Sequence, residues 1–193
     1  MFDSKGPMVV SMDKSWFQKL FSRPQPLDAH GFATNTDYGD AEVQFRMGLK
    51  FANGDGAAQD YTKAAEWYRK AADQRHSLAQ FNLGMMYAQG QGMAADDAQS
   101  LVWFGRAAQQ GDAGAQFNLG RRCHRASFRA APKEATESRI EAHKWYHLAA
   151  TQGYAGSEAA FNNLTMKMTR EDIAVADQRV AAFAVEKPAD AGN

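Results

Sequence analysis

Apolar residues along this chain recur three or four positions apart, which is the spacing of one face of an α-helix. From residue 40 the pattern predicts a first helix over about 41–53, a polar turn with two glycines, and a second helix over about 61–74. Leu83 and Tyr87 show the same four-residue spacing in the next helical pair. Because strand-forming β-branched residues are scarce, the pattern favours an all-α fold.

The helical pair returns at a fixed step of 36 residues. The stretch Ala-Gln-Phe-Asn-Leu-Gly occurs at 79–84 and 115–120, with a looser copy at 43–48. A second marker is Trp-Tyr-Arg-Lys-Ala-Ala at 67–72, and a similar stretch that also begins with tryptophan follows 36 residues later. A third copy is at 145–150, six residues beyond the position that the 36-residue step predicts. Such self-similarity is typical of an α-solenoid, in which each helical pair buries its apolar face by stacking on its neighbours.

The chain is therefore predicted to consist of an arm, a solenoid and a tail. The predicted parts are the arm 1–39, the repeats 40–75, 76–111 and 112–153, capping helices up to 185, and a flexible tail over 186–193. Within the arm, apolar residues around Trp16 and Phe17 predict a short amphipathic helix that ends before Pro24. This helix is expected to cover the first repeat, to dock on a partner, or to touch a membrane surface.

The ends of the helices can also be predicted from residue type. Asp60 and Asp96 lie where side chains cap the second helix of a pair. The segment from Thr169 to Asp172 has the pattern of a capping box, and the apolar spacing after it predicts a last, capping helix. Gly111 and Gly153 follow the second helix of their repeats, where a left-handed residue ends a helix at little cost. Arg75 takes this place in the first repeat, so its exit turn is expected to differ.

Two further residue types have a predicted structural role. Gly84 recurs as Gly48 and Gly120, where a missing side chain is expected to let the backbone of the second helix approach. The tryptophans of the second marker are expected to be buried in the seam between helices. They are Trp67, Trp103 and Trp145.

The combination of these motifs resembles a known family. Ala-Gln-x-x-Leu-Gly-x-x-Tyr, a Gly-x-Gly turn, an aspartate and Trp-Tyr-x-x-Ala-Ala at a 36-residue step are similar to the Sel-one-like repeat (SLR), a relative of the tetratricopeptide repeat. The resemblance spans about residues 40–153. It implies antiparallel helix pairs stacked in a right-handed superhelix, and an adaptor or scaffold role. Some secreted relatives have a disulfide in every repeat, but this chain has one cysteine, Cys123.

Charge and cysteine content narrow the class of partner. The chain has 22 basic and 22 acidic residues, so no net charge attracts it to nucleic acid or to a membrane. A single cysteine suits a reducing compartment, and no apolar run approaches the ~20 residues that span a bilayer. We therefore expect a cytoplasmic protein, a monomer without a cofactor, whose partner is another protein.

The first candidate site is the face of the first helix in each repeat that lies opposite Leu83 and Tyr87. In similar superhelices this face lines the concave groove, where aromatic and methionine side chains anchor a peptide or helix. Alternatively, each aromatic ring packs under the second helix of the preceding repeat. The predicted groove residues are Phe45, Leu49, Phe81, Met85, Phe117 and Arg121.

The second candidate site is a basic segment in the third repeat, which contains the six additional residues. On a helix, Arg121, Arg125 and Arg129 would form one stripe, and guanidinium groups so aligned suit phosphate or carboxylate. The alternative is a solvated surface loop. The predicted contacts to an anion or an acidic partner are Arg122, Arg125, Arg129 and Lys133.

Catalytic and metal-binding patterns are weak in this sequence. The Gly-x-Gly segments after the first helices lack the preceding strand of a nucleotide-binding loop, and no nucleophile motif is present. Four residues, Cys123, His124, His143 and His147, would have to converge to bind zinc, and their spacing matches no specific zinc pattern.

The preferred interpretation is a non-enzymatic adaptor that holds a peptide or helix of another protein in its groove. One alternative is a metal-binding or enzymatic protein that uses the cysteine and histidines. The other is a regulator that its own N-terminal arm inhibits by occupying the groove.

Overall fold

The computed structural model describes residues 39–56 and 58–186, without the side chains of 184–186. All of them belong to one compact unit, Tyr38–Asn193. The predicted amphipathic helix around Trp16 and the predicted tail after residue 186 lie outside the described residues. Within this part the regular structure is entirely helical, which confirms the all-α prediction. The helices are α1 Ala41–Asn53, α2 Tyr61–Asp73, α3 Ser77–Gln89, α4 Asp97–Gln109, α5 Ala113–Ser127, α6 Pro132–Thr151, α7 Ser157–Thr165 and α8 Arg170–Glu186.

Consecutive helices from α1 to α7 pack against each other along the chain. The pairs α1 with α2, α3 with α4 and α5 with α6 form the three repeats, and α2 with α3 and α4 with α5 join one repeat to the next. Helix α6 also contacts α7 and α8. Each repeat thus buries its apolar faces against its own partner helix and against the neighbouring repeat, which is the architecture of an α-solenoid.

The second helices begin at the predicted caps. The Asp60 side chain accepts a hydrogen bond from the backbone N–H of Lys63 at 3.0 Å. The Asp96 side chain accepts from the N–H groups of Ala98 and Gln99, at 2.9 and 3.0 Å. These carboxylates satisfy backbone donors that have no partner inside the helix.

The exit turns after the second helices have one shared geometry. Gly111 and Gly153 have φ values of 95° and 69°, as predicted, and Arg75 has a φ of 66°. The prediction that Arg75 changes its turn is wrong, because the backbone N–H of the next residue, His76, donates to the carbonyl of Ala71 at 3.1 Å, as its equivalents do. The turn forms although the left-handed region costs a residue with a side chain about 1–2 kcal/mol.

The glycine in the first helix of each repeat makes room for an aromatic ring. A Cβ atom on Gly84 would lie 2.9 Å from Cδ1 of Phe104, and one on Gly120 would lie 2.6 Å from Cδ1 of Tyr146. Gly48 has the same relation to Tyr68. The expectation that helix backbones meet here is therefore wrong, since the ring from the second helix occupies the space.

The three repeated tryptophans are buried to different degrees. Trp103 is 4% exposed, whereas Trp67 and Trp145 are only partly buried. Lys70 Nζ lies 4.1 Å from the ring centroid of Trp67, and Lys144 Nζ lies 4.2 Å from that of Trp145. The prediction of three buried rings thus holds only for Trp103. All three rings form cation–π contacts, since Arg106 Cζ lies 4.5 Å from the ring centroid of Trp103.

A chain of glutamines, of which those on the first helix of each repeat are buried, fixes the register of the repeats. In each repeat the glutamine of the first helix accepts a hydrogen bond from a glutamine after the second helix: Gln74 to Gln44, Gln110 to Gln80 and Gln152 to Gln116, at 2.8, 2.6 and 2.9 Å. In addition, Gln80 and Gln116 donate to backbone carbonyls of the preceding repeat, at 2.9 and 3.2 Å. We call this set of glutamines the glutamine relay. Because buried amides need hydrogen-bond partners, we infer that the relay holds each repeat against the one before it.

The additional residues of the third repeat lengthen its helices. Helix α5 has 15 residues and α6 has 20, whereas α1 to α4 have 13 each. The turn between α5 and α6 is short, 128–131. The surface-loop alternative for the basic segment is therefore wrong for Arg121, Arg122 and Arg125, which lie on α5.

The C-terminal helices α7 and α8 both pack against α6. The Thr169 hydroxyl accepts a hydrogen bond from the N–H of Asp172 at 3.1 Å, where the cap of α8 was predicted. Ala176 is fully buried, and the Phe183 ring lies 5.6 Å from that of Trp145. Arg179 adds hydrogen bonds at 2.6 and 2.5 Å to two glutamates of α6, Glu137 and Glu141.

Candidate functional site

A pocket of about 430 Å³ lies between the C-terminal halves of α3 and α5. Two aromatic rings, Phe104 of α4 and Tyr146 of α6, form part of its lining. The remaining lining residues come from α3, α5 and the turn after α5. They are Met85, Ala88, Gln89, Asn118, Arg121, Arg122, His124, Arg125 and Phe128.

The glycines of the repeat place the two rings. Each ring lies against a first helix at the point where glycine leaves space, Phe104 at Gly84 and Tyr146 at Gly120. Both rings are almost fully buried. They form the buried base of the pocket, while the more exposed side chains of α3 and α5 form its walls.

Two arginines in the pocket have no ionic partner among the described residues. Arg121 and Arg125 are exposed, and the side chain of neither forms a salt bridge or hydrogen bond with the described residues. They lie four positions apart on α5, so both project from the same face of that helix. Their charges are available to a ligand.

Arg122 has a different role from its neighbours. Its side chain is 17% exposed, and its Nη2 atom lies 2.8 Å from Oδ1 of Asp97. The same nitrogen donates to the hydroxyl of Ser100 at 3.3 Å. Since both partners are on α4, Arg122 ties α5 to α4, and most of its charge is balanced there.

The pocket is basic although the chain as a whole is neutral. Three arginines line it, and no aspartate or glutamate is among its lining residues. The whole chain has equal numbers of acidic and basic residues. The local excess of positive charge favours a negatively charged ligand.

His124 is neutral near pH 7. Burial lowers the pKa of its imidazole, and the charges of Lys167 and Arg139 lower it further. Its ring lies 5.1 Å from that of Phe128 and 6.2 Å, edge-on, from that of Tyr146. His124 therefore contributes an aromatic surface and a neutral hydrogen-bonding group to the wall of the pocket.

Phe128 forms an exposed rim that the sequence analysis did not single out. Its side chain is 76% exposed, and it follows α5 directly, at a position where the second repeat has Gly92 in its turn. The signal in the sequence was an aromatic residue inside a run of arginines. The longer α5 carries this ring to the pocket, so the additional residues of the third repeat help to form it.

The structure brings together members of both predicted sites. Met85 and Arg121 of the predicted groove line the pocket beside Arg122 and Arg125 of the predicted anion contacts. Arg129 and Lys133 are not among the lining residues. Because α5 ends at Ser127, the predicted stripe includes Arg121 and Arg125 but does not continue in helical geometry to Arg129.

The phenylalanines of the predicted groove contact rings of their own repeat. Phe45 is 3% exposed, and its ring lies 5.8 Å from that of Tyr68. Phe81 lies 5.8 Å from Phe104, and Phe117 lies 5.7 Å from Tyr146. Phe45 is thus part of the core, whereas Phe81, Phe117 and also Leu49 are partly buried and keep some surface for a ligand.

Comparison with known proteins identifies the repeats. The family model of the Sel1 repeat, the Sel-one-like family, matches residues 41–76, 77–112 and 113–154, which together are more than half of the chain. The chain belongs to the Sel1 repeat family. Each matched segment begins one residue after the predicted repeat boundary. The third match contains the six additional residues, so the longer helices belong to a true Sel1 repeat.

Two solved structures share this fold. A Sel1 repeat protein from Oxalobacter formigenes is 28% identical, with a TM-score of 0.56, over 64% of this chain and 48% of that one. The protein c5321, a protective antigen of uropathogenic Escherichia coli strains that displays an SLR fold, is 28% identical, with a TM-score of 0.65, over 83% of this chain and 35% of that one. This chain therefore spans about half and about a third of their lengths. A search of curated proteins gave no match.

Membership of the Sel1 repeat family gives the general role. Sel1 repeats are generally protein–protein interaction modules, and proteins built from them are typically non-enzymatic scaffolds. In the described part of the chain no helix is both long and apolar enough to cross a membrane.

The cysteine and histidines that were considered for metal binding lie at positions of the repeat where side chains pack between helices. Cys123 takes the place that Tyr87 has in the second Sel1 repeat, and burial, together with Glu141, raises the pKa of its thiol. His143 is 1% exposed, and its ring lies 4.6 Å from that of Phe161. Across residues 39–56 and 58–186, no three His, Cys, Asp or Glu side chains are placed to hold an ion. The metal alternative therefore gains no support from the geometry.

Proposed function

We propose that this Sel1 repeat protein is an adaptor that binds a peptide or helix of a partner protein along the exposed face of α3 and α5. The observation that carries the proposal is the pocket at which side chains of both helices meet. Met85 belongs to α3 and Arg121 to α5, and both line it. Fold alone does not determine function, so the proposal depends on this site and not only on the family.

The chemistry of this face suits a protein ligand. Phe81 and Met85 lie four residues apart on α3, and Phe117 and Arg121 do so on α5, so each pair shares one face of its helix. Partly buried aromatic and methionine side chains can anchor a helix or an extended peptide, because they are held in place yet keep apolar surface. The arginine beside them adds a directional contact for a polar group.

The test compares two double variants of this chain by the partner proteins that each captures from native cell extract. The first pair, Phe81→Ala with Phe117→Ala, removes the rings next to the pocket. The control pair, Leu101→Ala with Val102→Ala, removes apolar side chains of α4 that are 41% and 46% exposed. The proposal predicts that the first pair loses specific partners, measured by quantitative mass spectrometry, and that the control pair retains them.

Folding must be checked because both rings contact core residues. Phe81→Leu with Phe117→Leu keeps apolar volume, and it should weaken the same partners to a smaller extent while the helical circular dichroism stays unchanged. Each captured partner is then measured with purified protein. Retention of all partners by the folded Phe81 and Phe117 variants would contradict the proposal, and so would equal loss in the control pair.

A further inference from the structure

We propose that the pocket recognises an acidic segment of the partner protein, in which a carboxylate side chain lies next to an aromatic or aliphatic one. This inference rests on the proposed function, since it names the chemistry of the ligand at one point of the same face. The occupant follows from charge complementarity and from the neighbouring apolar walls of the pocket.

The charge of the ligand follows from the two arginines that have no ionic partner among the described residues. Arg121 and Arg125 are the cations of the pocket that are not balanced by a carboxylate of the described chain, because Arg122 is paired with Asp97 at 2.8 Å. A guanidinium remains charged at every physiological pH and presents several donors in one plane. Two of them, one helical turn apart, match a carboxylate that accepts two or more hydrogen bonds.

The apolar part of the ligand follows from the side chains beside the arginines. Met85 lies on the opposite wall, on α3, and the strongly exposed Phe128 ring forms the rim. An aromatic or aliphatic side chain of the ligand would cover both and remove them from water, which stabilises the complex. A flexible thioether opposite a ring adapts to ligands of different shape.

A protein ligand fits this pocket better than a nucleic acid does. Nucleic-acid binding draws its affinity from many phosphate contacts, and two free arginines on a neutral chain supply few. A free phosphate group would use the arginines but leave the apolar rim exposed. A segment that combines both kinds of side chain uses all of the pocket.

The experiment selects peptides from a random twelve-residue library displayed on phage, with the full chain as bait. Selected peptides are synthesised with a fluorophore and their affinities are measured by fluorescence polarisation. The test variant is Arg121→Glu with Arg125→Glu. The control is Arg129→Glu with Lys133→Glu, which changes the net charge equally but alters residues that do not line the pocket.

The proposal predicts peptides with Asp or Glu beside an aromatic or aliphatic residue. The test variant should bind them about tenfold more weakly or worse, and the control should change affinity by less than about threefold. Phe128→Ala should weaken binding too, and salt should reduce the affinity of the original chain. Circular dichroism of each variant confirms that it is folded.

Several outcomes would overturn the proposal. They are selected peptides without acidic residues, equal losses in the test and control variants, or tight binding of inorganic phosphate or single-stranded RNA in place of peptides. If captured partners depend on Phe81 and Phe117 but not on the two arginines, the adaptor function stands and the pocket chemistry is wrong. If neither set of variants loses partners, both proposals are wrong.

Discussion

At the scale of single residues, the glycine of each first helix determines how closely the aromatic ring of the second helix approaches. Gly84 and Gly120 leave the space that the rings of Phe104 and Tyr146 occupy, and these rings also line the pocket. The motif that marks the repeat in the sequence is therefore part of the site as well as of the core. The sequence showed the glycine but not its neighbour, because the spacing of residues on one helix does not reveal which atom of another helix fills a gap.

The role of this glycine can be tested against another glycine in a helix. Gly120→Ala would place a Cβ atom 2.6 Å from the Tyr146 ring, and such overpacking costs about 1–3 kcal/mol. The higher helix propensity of alanine offsets about 1 kcal/mol of this cost. We therefore expect a lower melting temperature in differential scanning calorimetry. Gly105→Ala on α4, where no atom lies within 4 Å of the added carbon, should instead raise it. A melting temperature that rises equally in both variants would show that the ring does not need the space.

A second residue-scale prediction concerns the buried His143. Burial lowers the pKa of its imidazole, while the charge of Asp177 partly opposes this shift. The unfolded chain binds a proton at this residue near pH 6.5, and the folded chain binds it only at lower pH. Protonation therefore favours the unfolded state as the pH falls below about 6.5. We expect urea unfolding to show lower stability at pH 5.5 than at pH 7.5.

The contribution of His143 is isolated by a substitution. In His143→Leu the difference in stability between the two pH values should become smaller. It should not vanish, because the pKa of His124 is lowered in the same direction. An unchanged difference in the variant would mean that His143 does not cause the pH dependence.

At the scale of helices, the pattern of the sequence located most elements, and turn chemistry located their ends. The caps at Asp60 and Asp96 and the last helix after Thr169 were correct because each depends on local hydrogen bonds. The secondary structure of the basic segment was harder to predict. It lacks the turn glycines of the other repeats, and its composition is compatible with either a helix or a loop. The position of this segment relative to α3 depends on how the repeats stack, and local sequence spacing does not predict that stacking. Met85 and Arg125 were consequently assigned to different sites, although they line one pocket.

Helix α8 offers a prediction about the end of the stack. Ala176 is fully buried, whereas Ala174 on the same helix is exposed. Ala176→Asp would bury a carboxylate without a partner, which costs several kcal/mol, so α8 should separate from α6. Hydrogen exchange measured by mass spectrometry should then become faster in 170–183. The matched change Ala174→Asp should leave exchange in this segment nearly unaffected.

At the scale of the whole solenoid, each repeat depends mainly on its neighbours. The change at Ala176 should therefore leave hydrogen exchange in 41–73 close to that of the original chain, because no direct contact links that segment to α8 in the principal helix packing. Loss of protection throughout the described repeats would indicate one cooperative unit in place of semi-independent ones. The family and the general interaction role could be predicted from the repeats, whereas the pocket needed the structure.

The glutamine relay has a consequence for how such a protein diversifies. In the third repeat the hydrogen bond from Gln152 to Gln116 is kept at 2.9 Å, although six residues have been added between these two positions. The added length goes into the helix ends that carry Phe128, and the contacts that hold the repeats in register are not disturbed. The same arrangement of repeats can thus accommodate other insertions between Gln116 and Gln152, each of which would place different residues at the rim of the pocket. The glutamines that hold the repeats in register are therefore different residues from those that carry the added length, so this part of the repeat can change without a new fold.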